Sequence, residues 1–301
     1  MPSGPILVTG GSGQLALALE AAAAMPVRRV GRPDFDFDRP ETIEACFRAT
    51  DPWLVVNAAA YTAVDAAETD QDAAYRANRD GPAELARLCA GARIPLIHVS
   101  TDYVFDGTKD APYREADPVA PQGVYGASKL AGEQAVLASG AHAIILRTAW
   151  VYSHTGKNFV RTMLNLGRTR DRLTVVADQI GCPTSAADLA DAILAIASRL
   201  RDGAWSPEFG GVFHAAGTGE TSWHGLACAV FAEAARHGAK IPTIDPIRTE
   251  DWPTPAKRPA NSRLDCTRLE TVFKVRLPDW RISVARTVDQ IFAEAAGARS
   301  A

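Results

Sequence analysis

Cysteine is sparse in this chain: Cys46, Cys89, Cys182, Cys228 and Cys266 lie far apart, at no metal-ligand spacing, and their odd number makes no disulfide framework. They read as reduced core thiols. Charge of one sign is also missing. Thirty-two Lys and Arg stand against 35 Asp and Glu, for a formal net charge of −3, which excludes a basic nucleic-acid surface and a polybasic membrane anchor. No apolar run approaches the roughly 20 residues needed to span a bilayer. The opening Met1-Pro2-Ser3-Gly4 leads straight into an apolar segment, with no basic region and no cleavage site. A cytoplasmic protein is therefore expected. Internal repeats and low-complexity linkers are absent as well.

What is present is apolar mass, 47% of 301 residues, enough for one large domain or two unequal ones. The first half alternates short β-like runs with Ala-rich helical stretches. The runs are Ile6–Val8, Val27–Val30, Trp53–Val56, Leu96–Val99 and Ala143–Leu146; helices are predicted near 13–24, 40–49, 69–91 and 123–140. Val, Ile and Leu strands alternating with helices predict a parallel sheet covered on both faces. The expected fold class is α/β, a doubly wound sheet of Rossmann type. A dinucleotide-binding domain is expected over 1–150 and a smaller substrate-binding lobe over 151–301, with some of its segments returning to the main sheet. In that lobe strands are predicted at Leu173–Val176 and Gly211–Ala215, and helices near 185–200, 222–237 and 281–296. The proline-rich stretch from Trp252 to Pro259 cannot be regular structure, because proline lacks the amide donor and restricts its predecessor.

Glycines stand directly between the first strand and the first helix, in two overlapping registers: Gly10-x-x-Gly13-x-x-Ala16 or Gly11-x-Gly13-x-x-Ala16. Glycine lets a backbone turn tightly against a pyrophosphate, whose charge is favoured at a helix N-terminus. Gly10, Gly13, Gln14 and Leu15 are accordingly expected to hold a dinucleotide. Ala58, Ala59, Ala60 and Tyr61, after the third strand, and Val99 on the fourth are expected to join them. The tip of the second strand reads Val30-Gly31-Arg32, without the acid that usually binds a ribose 2′-hydroxyl. A guanidinium there suits a 2′-phosphate, so NADPH is the expected cofactor, with NADH as the alternative. Asp36 and Phe37 could flank the adenine, or Asp38 could cap the helix that starts near Pro40.

Tyr125 and Lys129 form a Tyr-x-x-x-Lys pair on one helix face. Six of each residue would place roughly 0.12 such pairs in the chain by chance, so context decides. The ammonium of Lys129 should lower the Tyr125 pKa and make the phenol a usable proton donor. The preceding strand ends in Ser100-Thr101-Asp102, where either hydroxyl could hydrogen-bond a substrate carbonyl as charge develops on it. Asn57 closes the third strand, and Asn78 could bridge backbone groups from its helix.

Longer stretches resemble one family. Asn57-Ala-Ala-Ala-Tyr-Thr-Ala-Val-Asp65, His98-Val-Ser-Thr-Asp-Tyr-Val-Phe-Asp-Gly107 and Tyr125-Gly-Ala-Ser-Lys-Leu-Ala-Gly-Glu133 come first. Arg147-Thr-Ala-Trp-Val-Tyr152, Asn158-Phe159 and Pro255-Ala-Lys-Arg-Pro-Ala-Asn-Ser-Arg263 follow. In order and spacing they resemble the dTDP-4-dehydrorhamnose reductases, within the extended short-chain dehydrogenase/reductase class. The resemblance implies reduction of the C4 keto group of dTDP-4-dehydro-β-L-rhamnose. It implies that Thr101 polarises the carbonyl, Tyr125 protonates the new alkoxide and Lys129 tunes Tyr125. It also implies that Asp102 touches the sugar, Trp150 lines its pocket, and Arg258 with Asn261 meets the nucleotide end. Some members bridge two subunits with Mg²⁺ through glutamates, but the matching places here are Ala18 and Ala187. No metal site is therefore expected, and the chain should be a monomer or a weak homodimer. Two rival readings are a non-catalytic NADP-binding regulatory subunit and a sugar-nucleotide epimerase or dehydratase. The first would not need Thr101, Tyr125 and Lys129; the second would retain its cofactor tightly.

Overall fold

A computed structural model describes residues 4–300. Six parallel strands form the main sheet: β1 Ile6–Thr9, β2 Val27–Val30, β3 Leu54–Asn57, β4 Leu96–Thr101, β5 Ala143–Thr148 and β6 Gly211–His214. Their spatial order is β6-β5-β4-β3-β1-β2. The order reverses between β1 and β3, and in such sheets the ligand crevice opens there, beyond the carboxyl ends of the strands.

Side-chain alternation shows why both faces must be covered. Ile6, Val8, Leu54, Val56, Ile144 and Leu146 pack on one face with Leu15 and Leu19 of helix α1 (Gln14–Ala22). Leu7, Val55 and Ile145 point the other way, onto Ile43 and Phe47 of α2 (Pro40–Thr50) and Leu85 and Leu88 of α3 (Gly81–Ala92). Successive residues of a strand face opposite sides, so a strand apolar throughout needs two layers of helix. Helix α4, Val124–Ala138, adds Val136 to the second face. The first face is completed from far along the chain, by Leu189, Ile193 and Ile196 of α5 (Ala186–Asp202).

The helix predicted near 69–91 is broken. It runs as Gln71–Tyr75, then a π turn Arg76–Asp80, then α3. Pro82 has no amide to give the Asn78 carbonyl four residues earlier, and the ladder slips by one residue there. That carbonyl instead lies against α4, where a Cβ on Gly132 would stand 1.9 Å from the Asn78 oxygen.

The remaining segments build a second core from Tyr152, Val160, Leu173, Val175, Val230, Phe231, Trp280 and Val284. It is organised by the paired strands Arg172–Val176 and Thr243–Ile247, by helix α6 (Trp223–Ala235) and by helix α7 (Trp280–Ser300). The strand at 243–247 carries Asp245 and Pro246, which hide it in the sequence; a two-stranded edge tolerates the missing proline donor. Residues 252–260 contain no helix or strand. Among the described residues no helix is long and apolar enough to cross a membrane.

Candidate active site

The ends of β1, β3, β4 and β5 open into one cleft of about 920 Å³. The glycine loop forms its floor. Gly10 and Gly11 have φ of +109° and +53°, which side chains rarely adopt, and Gly13 closes the turn through its N–H to the Gly10 carbonyl at 2.8 Å. Both glycine registers are thus in use. Gly31 is needed too, since a Cβ there would stand 2.5 Å from the Gly11 Cα. The sequence reading missed Gly31, although its place at the tip of β2 was visible.

Gly10, Gly13, Gln14, Leu15, Arg32, Phe37, Ala58, Ala59, Ala60, Tyr61 and Val99 all line this cleft, as do Thr101, Asp102, Tyr125, Lys129 and Trp150. Asp36, Arg258 and Asn261 do not. Arg32 is exposed and held by two carboxylates, its Nε 3.0 Å from Asp36 Oδ1 and its Nη2 2.6 Å from Asp38 Oδ2. Burial pushes the Asp36 carboxyl up, but the Asp38 amide and the Arg32 guanidinium outweigh it and hold the group below its usual value. Asp38 does not cap α2, which has no side-chain cap; its carboxylate is taken by Arg32 and Arg76.

At the end of β4 the alternation of the strand separates the two candidate hydroxyls. Ser100 turns away and donates to Glu133 Oε1 at 2.5 Å. Glu133 in turn is buried against Arg147, with Nη2–Oε2 at 2.6 Å. Ser100 and Thr101 both border the cleft, but the Thr101 hydroxyl stays on the cleft side, donating to Asp102 Oδ1 at 3.1 Å beside the Tyr125 phenol. The Ser100 hydroxyl is thus committed to Glu133, which leaves Thr101 as the hydroxyl free to face a substrate.

The expectation that Lys129 lowers the Tyr125 pKa is not met. Burial pushes the Tyr125 phenol above its usual value, and the Thr101 hydroxyl only partly offsets this. Lys129 is the group brought down, to about 8, by burial that the Glu133 carboxylate partly counters. Its ammonium donates to the Val99 carbonyl at 2.7 Å. Beside them Asp102 is buried and pushed up to about 6, against the pull of the Ser262 and Thr101 hydroxyls. The first turn of α4 is steadied from outside by Glu68, whose Oε1 accepts from the Val124 amide at 2.9 Å. Nothing in the local sequence around Glu68 signals that role.

Strand ends are tied together by Asn57, which accepts from Thr9 Oγ1 at 2.6 Å and meets His98 Nδ1 at 2.9 Å. Asn78 bridges elements through Tyr61 N at 2.8 Å and Ser128 Oγ at 3.0 Å. Trp150 has φ of +50°, stacks on Trp223 with ring centres 3.6 Å apart, and lies against Gly181. Arg258 is paired with Asp65, Nη2–Oδ2 2.6 Å, which pins the proline-rich loop to the segment after β3. Asn261 is used internally: its amide donates to the Lys109 and Ala111 carbonyls, and its Oδ1 accepts from Arg263. The structure thus makes Asn261 a loop brace, where the resemblance implied a nucleotide contact. Among the described residues no group of three or more His, Cys, Asp or Glu side chains could hold a metal.

Residues 4–292 match the family described as the RmlD substrate binding domain. The dTDP-4-dehydrorhamnose reductase of Sinorhizobium fredii is 47% identical over 285 residues, covering 94% of this chain and 96% of that one. The Burkholderia thailandensis protein of the same name is 44% identical over 296 residues, covering 96% and 99%. Among solved structures, the dTDP-4-dehydrorhamnose reductase of Bacillus anthracis in complex with NADP superposes with a TM-score of 0.87 at 32% identity, covering 96% and 99%. The Clostridium acetobutylicum protein of that name gives 0.87 at 36%, covering 95% and 99%. With a glycine cradle, a Thr–Tyr–Lys cluster and this likeness along nearly its whole length, the chain belongs to the dTDP-4-dehydrorhamnose reductase family.

Proposed function

We propose that the protein reduces the C4 keto group of dTDP-4-dehydro-β-L-rhamnose to give dTDP-β-L-rhamnose. The observation that carries this reading is the meeting of Thr101, Tyr125 and Lys129 at the rim of the glycine cradle in one cleft. The cradle fits a dinucleotide: its positive-φ glycines leave no side chain between the backbone and a pyrophosphate. Bound NADPH supplies the hydride. The chain's own residues handle the oxygen. Thr101 and Tyr125 hydroxyls hydrogen-bond the carbonyl oxygen and stabilise it as charge develops. Tyr125, its pKa held high by burial, stays protonated until that oxygen becomes basic enough to take the proton. Lys129 places a cation beside the reaction at neutral pH. Asp102 and Trp150 bound the sugar end, and Arg258 becomes available to the substrate diphosphate when Asp65 releases it.

The test is NADPH oxidation with enzymatically generated dTDP-4-keto-6-deoxy sugars, with product stereochemistry read by NMR. Tyr125→Phe keeps the ring and removes the proton, so turnover should fall by at least ~100-fold while NADPH affinity survives. Wild-type turnover in that variant would make Tyr125 a structural residue.

A further inference from the structure

Trp223 belongs to none of the motifs above, yet it opens helix α6 and lines the cleft. Its ring lies 3.6 Å from that of Trp150, only 11° from parallel, so one face of Trp150 is covered. Gly181 also packs closely on Trp150: a Cβ there would stand 2.5 to 2.9 Å from three indole atoms. The face against Trp223 is closed to a sugar, and Gly181 crowds the indole as well. What Trp150 offers the cleft is its edge. The two indole N–H groups differ in the same sense: that of Trp223 donates to Gln179 Oε1 at 3.2 Å, and Gln179 Nε2 is itself bonded to Thr249 Oγ1 at 3.1 Å. Among the described residues the Trp150 N–H makes no hydrogen bond, and Trp150 lines the cleft. Phe159 packs on the Trp223 ring, with centres 4.7 Å apart and the planes tilted by 45°. Trp150 is held here in a left-handed backbone conformation that is rare for a bulky residue and persists only where the surroundings impose it.

We propose that Trp223 is a positioning residue for the nucleotide-sugar substrate: it holds Trp150 edge-on, so that the Trp150 indole N–H, not its ring face, meets a sugar oxygen. This rests on the functional reading above. Gln179 fixes the Trp223 ring, Trp223 fixes the plane of Trp150, and Gly181 provides the room for it. The ligand class is a pyranose bearing hydroxyl or carbonyl acceptors.

The experiment compares Trp223→Ala, Trp223→Phe and Trp150→Phe in the full chain. Each variant is followed by the far-ultraviolet circular-dichroism couplet of paired indoles, by NADPH affinity, and by kcat and KM for the keto-sugar. Trp223→Ala should abolish the couplet and raise the sugar KM by roughly 10-fold, the scale of one misplaced hydrogen bond. NADPH affinity should hold within about 2-fold, because the stack lies at the sugar end of the cleft. Trp223→Phe, which keeps a flat ring against Trp150, should restore most of the sugar KM although the couplet stays lost. Trp150→Phe, a ring without the donor, should match Trp223→Ala, and combining the two should add little. Unchanged sugar kinetics in Trp223→Ala would overturn the proposal, and so would a parallel loss of NADPH affinity. If the unsubstituted protein itself fails to turn over the keto-sugar, the functional reading falls and the proposal with it.

Discussion

Asp102 is the residue whose environment conflicts most with its ordinary charge. It is 4% exposed, and its Oδ2 finds no full hydrogen bond although the Ser262 hydroxyl faces it. Its folded pKa of about 6 lies above the unfolded value, so its protonated form is the one folding favours. That stability is fully present below about pH 4 and is lost as pH rises through 6. Asp102→Asn should stabilise the fold at pH 7.5 by roughly 3 kcal/mol, raising the melting temperature, and change it little at pH 4. Thermal melts across that range check it; equal shifts at both pH values would contradict the assignment. Arg32 is governed by competition. Asp36 and Asp38 already hold its guanidinium, so a 2′-phosphate must share it with two carboxylates. Arg32→Ala should weaken NADPH by ~10-fold and spare NADH, whereas Asp38→Asn should tighten NADPH, both read by fluorescence titration.

At the scale of elements, the buried Glu133–Arg147 pair fastens the helix carrying Tyr125 and Lys129 to strand β5, with Ser100 of β4 as third partner. Removing one charge strands the other in the core, so Arg147→Met should cost about 3–5 kcal/mol in urea unfolding. Glu133→Leu combined with Arg147→Met should recover much of that loss, because the apolar pair leaves no unpaired charge. Why some of this was legible and some not follows from distance along the chain. Strands of Val, Ile and Leu and the glycine turn at 10–13 act through neighbouring residues, and their pattern is written locally. The π turn at Arg76–Asp80 was hidden, although Pro82 was in plain view, because its cause is completed by Gly132 on another helix. Glu68 at the start of α4, Trp223 against Trp150, and Asn261 bracing the 109–111 segment depend on contacts between residues tens to more than a hundred positions apart. The choice between Ser100 and Thr101 needed only the pleat of one strand, but its direction is set by which face the helices cover.

On the scale of the whole molecule, the two halves of the chain share one sheet. Strand β6 pairs with β5 along Gly211–His214, and α5 covers Val8, Val56 and Ile144 from the face opposite α2. A fragment ending at residue 150 would therefore leave β5 with an open edge and part of one face bare, a template for association. Expressed alone it should aggregate, by light scattering, and co-expression of residues 151–301 should restore solubility; a monodisperse fragment would contradict this. The same pairing has a meaning in time. Thr148 leaves the ribosome roughly 66 residues before His214, the end of its edge partner. At ~5–20 residues per second, that interval lasts roughly 3 to 13 seconds. During it the nascent sheet waits with part of an apolar face uncovered and one edge unpaired, the condition in which association competes with folding. Slow codons placed between positions 150 and 214 should lengthen the wait and lower the soluble yield, with no change in the amino-acid sequence at all.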